Sequence, residues 1–235
     1  MSKWRLFFVL SFLVVIFAAL ISKLDSMKEN FYIFDPTQLH QLAQRALIAN
    51  GHLKIVDGQL IPIPQENANA TRSVIDYIVA ELRKTIDRRY LTDKEEWVFN
   101  NAGGAMGAMF IIHASLTEYL IIFGTPLGTE GHSGLHTADD YFHILHGEQW
   151  SFSAGDLEKT VYGVGSVQFL PKGLARQYKM HRGCWALEYA RGWIPPMMPF
   201  GLADTVTSTL DYKTFFHTIR ISGREMIRNL LQGKI

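Results

Sequence analysis

The chain carries one cysteine, Cys184, among 235 residues. This excludes an intrachain disulfide framework and any metal site built on several thiolates. It lacks an excess of either charge, with 23 Lys and Arg against 22 Asp and Glu. No basic block stands out, which argues against a nucleic-acid partner. Internal repeats and low-complexity tracts are absent. So is the Gly-x-Ser-x-Gly elbow of a serine hydrolase, and no Lys-Ser/Thr follows the one glycine-rich stretch, as a phosphate cradle would need. What the chain has is apolar and aromatic content: 48% hydrophobic residues, 12% aromatics and only 19% charged. That balance suits an apolar ligand or a membrane-facing surface.

Residues 1–30 read as a membrane anchor. Leu6 to Ile21 carries no charge and, with Trp4 and Leu24, approaches the roughly 20 residues that span a bilayer. Lys3 and Arg5 precede it, so the positive-inside bias leaves the N-terminus cytoplasmic. No small-x-small site closes the run, which favours an uncleaved anchor over a signal peptide. Residues 31–96 read as a helical packing segment. Asp35-Pro36 starts a helix that runs to Ile48 with apolar Leu39, Leu42, Ala43, Ala46 and Leu47. Asn50 to Ala70 reads as a loop or extended arm and ends in the glycosylation sequon Asn69-Ala70-Thr71. Thr71 to Tyr90 has the stripe of a second amphipathic helix.

Residues 97–198 carry the strand signals. Met109–His113 and Leu116–Phe123 look like two strands, followed by a turn-rich connector from Gly124 to Gly134. From Gln149 to Tyr189 short strands recur every eight to ten residues between glycine turns, the mark of a sandwich or barrel. Residues 199–235 read as two helices, Phe200–Ser208 and Tyr212–Leu231. The second interleaves apolar side chains with arginines and either closes the barrel or lies in a membrane interface. The fold class is α+β.

Chemistry centres on Gly183–Pro196. The run Cys184–Ala190 predicts a strand, whose alternation puts Glu188 on one face with Cys184, Ala186 and Ala190, and Trp185, Leu187 and Tyr189 on the other. A carboxylate among small neighbours is costly unless paired, hydrogen-bonded or protonated. It is either satisfied by backbone donors or Arg191, or it is an acid with a raised pKa, as general acid chemistry needs. Asp139-Asp140 is the second candidate, with a solvated turn or helix cap as its plainer reading. Histidines cluster at His132, His136, His143 and His146. A metal-binding barrel of cupin type would place two of them one residue apart, and no His-x-His occurs, so no metal is expected. Gly103 and Gly107 allow close approach of another backbone, so a subunit contact is one reading of them.

Several long motifs resemble the fungal sterol C-8 isomerase family, whose animal relative is the sigma non-opioid receptor. They are Trp97–Gly107, His113-Ala114-Ser115, Glu118-Tyr119, Phe123-Gly124-Thr125, Gly128–Gly134, Ala138–Phe142, Leu145-His146-Gly147, Arg191–Pro195 and Ala203-Asp204-Thr205. The resemblance implies a single-pass protein of the endoplasmic-reticulum membrane with a cupin-like barrel around its ligand and two membrane-associated C-terminal helices. It implies a trimer, with Gly103, Gly104 and Gly107 as contact candidates. It implies movement of a sterol ring double bond from Δ8 to Δ7 without a cofactor, in ergosterol biosynthesis. The alternative is a non-catalytic receptor-chaperone that binds amines or sterols. Glu188 matches the receptor's amine-pairing glutamate, and Tyr119 its supporting tyrosine. The receptor's second acid falls at Phe142, leaving Asp139 or Asp140 for that role, with Asp139 preferred because the receptor also has an acid there. Tyr141, Phe142 and Trp185 are candidate cavity walls, although alternation turns Trp185 away from Glu188.

Overall fold

The computed structural model describes residues 3–65 and 70–235. The chain divides after Tyr32 into two compact units. The first is helix α1, Lys3–Met27, followed by a 3-10 turn over Lys28–Phe31. At 1.5 Å per residue, its 25 residues reach about 37 Å, longer than the roughly 30 Å hydrocarbon core of a bilayer. Phe8, Phe12, Val15 and Phe17 are all more than 60% exposed. The helix has the length and composition to cross a membrane.

The second unit opens with helix α2, Pro36–Ala49. Asp35 caps it by accepting from the Gln38 N–H at 2.8 Å, and Pro36 takes the first position, where no N–H is needed. Helix α3, Thr71–Thr85, ends before its predicted limit because Ile86 is extended and Arg88–Tyr90 forms a separate 3-10 turn. Between them, the expected loop contains a hairpin of β1, Leu53–Val56, and β2, Gln59–Pro62. Its turn is Asp57-Gly58, both at positive φ, which suits the right-handed twist of the strands. Asn69 of the sequon lies outside the described residues.

Among the described residues, ten further strands form two antiparallel sheets. The larger contains β3 (Trp97–Ala102), β4 (Ala105–Ala114), β5 (Glu118–Thr125), β7 (Ala138–His146), β10 (Val167–Leu170) and β12 (Cys184–Gly192), in the order β10-β7-β12-β5-β4-β3. The smaller contains β6 (Thr129–His132), β8 (Gln149–Phe152), β9 (Thr160–Tyr162) and β11 (Gln177–Met180), in the order β6-β11-β8-β9. Strand β12 lies inside the larger sheet, paired along its length with β5 and β7. On one face Leu120, Ile122, Leu145, Leu187 and Tyr189 pack against the apolar stripes of α2 and α3. On the other, Ile121, Phe123, Ile144, Ala186 and Ala190 form a second cluster. Both faces are therefore covered.

Gly103 and Gly104 form the two-residue β3–β4 turn, at φ of 65° and 82°, conformations that a side chain resists. A Cβ on Gly103 would also stand 2.2 Å from the His132 carbonyl oxygen, and one on Gly107 would stand 2.7 Å from that of Gly124. The need for glycine at 103 and 107 thus arises within the chain and requires no subunit contact.

Helix α4, Met198–Asp204, runs into a π-helical turn over Thr205–Thr209, and helix α5, Tyr212–Leu231, follows. Asp211 caps α5 by accepting from the Thr214 N–H at 3.0 Å. The helix buries Ile221, Ser222, Glu225, Met226 and Asn229 and leaves Phe216, Ile227 and Leu231 exposed. Asn229 donates to the Ala114 carbonyl at 2.7 Å, and Arg224 meets Glu96 at 2.5 Å. These bonds fasten α5 across β3 and β4.

Candidate active site

A cavity of about 570 Å³ lies between the sheets, bounded on one side by α4 and the first turns of α5. Its walls are largely apolar, with Met109, Ile121, Phe123, Phe142, Leu170, Ile194, Phe200 and Phe215 among them. The volume falls in the range of sites that enclose a small organic ligand.

Strand alternation places the acids. On β12, Glu188 points into the cavity between Ala186 and Ala190. In the β7 register Glu188 opposes Phe142, and Asp140 opposes Ala190. Asp140 is therefore the diagonal neighbour of Glu188 on the same face, at a backbone separation of roughly 7–8 Å. Asp140 lines the cavity, is 3% exposed, and has an Oδ1 without a partner. Burial raises its pKa to about 7, against a smaller opposing effect of the Tyr141 backbone N–H. Burial also holds Glu188 well above the ordinary carboxylate range, and the charge of Asp140 raises it further. Two carboxyls facing one apolar cavity do not both ionise readily near neutral pH.

Asp139, the preferred second acid in the sequence, points away. Its Oδ1 accepts from the Lys172 N–H at 2.9 Å, and its Oδ2 lies 4.0 Å from Arg191 Nε. One residue along a strand changes the face, and that step separates Asp139 from the cavity. The same rule removes Tyr141 and Trp185 from its wall. Tyr141 stacks between Phe169 and Tyr189, with ring centroids 4.7 and 6.1 Å away, and Trp185 meets Trp97 edge-on at 5.8 Å. Phe142 does line the cavity, beside Tyr178.

Tyr119 lines the cavity too. Its hydroxyl is hydrogen-bonded to Ser222 Oγ of α5 at 2.9 Å, not to the carboxylate it was expected to orient. Burial raises its pKa, and the nearby charge of Glu188 adds to the shift. Ser222 has no local motif to reveal it, since its partner lies 103 residues away in sequence.

The histidines do not converge. His132 and His136 line the cavity near Phe200. His143 packs on His40 of α2, with Nδ1 atoms 3.3 Å apart, and His146 packs edge-on against His52. Burial lowers the His143 pKa to about 3, so it is neutral at physiological pH. Among the described residues no three His, Cys, Asp or Glu side chains are grouped as a metal site would need.

The family model described as ERG2 and Sigma1 receptor like protein matches residues 11–234. The chain belongs to that family. Within the ERG2 and sigma-1 receptor group, the C-8 sterol isomerase erg2 of Aspergillus fumigatus is 56% identical over 98% of this chain and 89% of its own length. The C-8 sterol isomerase of Neurospora crassa is 52% identical over 98% and 83%. The sigma non-opioid intracellular receptor 1 of Xenopus tropicalis is 40% identical over 64% of this chain and 68% of its own. Among solved structures, an RmlC-like cupin from Shewanella frigidimarina is 15% identical, covering 43% of this chain and 86% of its own, with a TM-score of 0.35.

Proposed function

We propose that this protein is a sterol C-8 isomerase in which Glu188 and Asp140 act as the proton donor and acceptor at the sterol ring. The observation that carries the proposal is the pair of carboxyls on adjacent strands facing one largely apolar cavity, where burial raises the pKa of both. Moving the double bond from C8=C9 to C7=C8 requires a proton added at C9 and one removed from C7. No oxidation state changes, so proton transfer accounts for the whole reaction. An alkene is a very weak base, and it accepts a proton only from an undissociated acid out of competition with water. Glu188, which burial among apolar neighbours keeps protonated and which faces the cavity, is assigned that role. The carbocation that follows lies against the ionised partner and the face of Phe142, and each such aromatic face contributes about 1–2 kcal/mol when desolvated. Asp140 then takes the C7 proton, and exchange of the pair's protons with solvent between turnovers restores the neutral Glu188 and the ionised Asp140.

The family relationships and the exposed apolar length of α1 support a protein anchored in the endoplasmic-reticulum membrane. The outward Phe216, Ile227 and Leu231 of α5 support a C-terminal helix resting on that membrane. Edge strand β3, with Phe99 exposed, supports self-association. Incubating membranes that contain the protein with a Δ8 sterol should yield the Δ7 isomer. A sterol-binding protein without catalysis would return the substrate unchanged.

Asp140→Asn should abolish turnover and also stabilise the protein as pH rises. The sign follows from the raised pKa. The folded state holds the Asp140 proton up to about pH 7, whereas the unfolded chain releases it near 3.9. The wild type therefore loses stability between those values, and Asn does not. Melting temperatures of the two should coincide near pH 4 and diverge in favour of Asn by pH 7. A constant difference would contradict the shift.

A further inference from the structure

A second polar feature of the cavity lies on the strand beyond Asp140. Gln168 of β10 opposes Phe142 of β7, which opposes Glu188 of β12. These three residues form one row across the sheet, and two strand spacings, about 9.6 Å, separate the backbone of Gln168 from that of Glu188. Gln149 of β8, in the other sheet, donates through Nε2 to Gln168 Oε1. Both glutamines line the cavity, and they are 1% and 3% exposed. Gln149 Oε1 has no partner, and Gln168 makes no second side-chain hydrogen bond among the described residues.

Two amides joined by one hydrogen bond always keep one free carbonyl and free N–H donors. Exchanging the oxygen and nitrogen of both side chains gives the same result. An amide pair that served only to tie the two sheets together would leave this capacity unmet in a buried place, which is costly. A hydroxyl satisfies it, since its O–H donates to the free carbonyl while its oxygen accepts from the free N–H.

We infer that the Gln149–Gln168 pair is the specificity-determining site for the substrate's ring hydroxyl. Held at that end, the fused rings extend along the row toward Glu188 and Asp140, so the pair fixes which ring carbons meet the acids. The inference rests on the sterol reading above and names the group that orients the sterol.

The test compares a Δ8 sterol with its 3-deoxy analogue, both in direct binding to the purified full-length protein and in turnover. A site built for a hydroxyl discriminates strongly against the analogue that lacks it. The wild type should bind the hydroxyl form at least tenfold more tightly. In Gln149→Met/Gln168→Met that ratio should fall toward 1. Equal affinity of the wild type for the two compounds would overturn the inference without any variant, even if turnover were normal. A ratio unchanged in the double variant would also overturn it. A retained hydroxyl preference in binding with no Δ7 product would sustain the amide site and count against the isomerase reading alone.

Discussion

Glu188→Gln should lower turnover of a Δ8 sterol by at least about a thousandfold while the protein accumulates and folds normally. General acid–base catalysis by one positioned group contributes typically 10²–10⁴ in rate, and an alkene has no other route to protonation in an apolar cavity. Glutamine keeps the volume and polarity of the side chain and loses only the transferable proton. Because burial and the Asp140 charge already hold Glu188 above the ordinary carboxylate range, the folded state loses no stabilising negative charge. The variant should therefore melt at or above the wild-type temperature. Reduced turnover with a lowered melting temperature would point to a structural role, and normal turnover would remove Glu188 from the mechanism.

The largest effect on stability is expected from Glu118→Gln. Glu118 is adjacent to Tyr119 in β5 but on the helix-covered face, fully buried. Its carboxylate accepts from the Ile33 and Phe34 N–H groups at 2.9 and 3.1 Å and from the Tyr189 hydroxyl at 2.7 Å. It also pairs with Lys234 Nζ at 2.8 Å. One side chain thus ties the segment before α2 and the segment after α5 to the central sheet. An amide there turns a donor toward donors and leaves the lysine charge buried without its partner, a loss of about 3–5 kcal/mol. At roughly 2–4 °C per kcal/mol for a domain of this size, the melting temperature should drop by about 10 °C. Adding Lys234→Met should restore part of the loss, because the double variant buries no lone charge. A drop under about 2 °C would show that these contacts do not hold the two segments to the sheet.

How much of this was legible in the sequence depended on whether a signal was local. The cap at Asp35 and the stripes of α2 and α3 are short-range patterns, and they appear where expected. A strand over Cys184–Ala190 and the inward face of Glu188 followed from alternation, because small residues flank Glu188 on one face and large ones lie on the other; the strand itself runs on to Gly192. The choice between Asp139 and Asp140 was not legible in the same way. Strand β7 is covered by helices on one face and lines the cavity with the other, so no polar face marks its register. That same ambiguity displaced Tyr141. Glu118 read as an ordinary polar strand residue, since its partners lie 84, 85 and 71 residues away. Two hairpins had a usable signal that composition obscured. Asp57-Gly58 between two short apolar runs is a tight-turn pair, and so is Gly103-Gly104, whose glycines serve the turn.

Isomerisation in D₂O tests the central claim most directly. If Glu188 and Asp140 protonate one ring carbon and deprotonate another, the donor exchanges with solvent between turnovers. The Δ7 product should then carry one deuterium at C9, and Glu188→Gln should form neither labelled nor unlabelled product above background. A Δ7 product that contains no deuterium would mean that hydrogen moves within the sterol, and the carboxyl pair would not be the proton donor and acceptor.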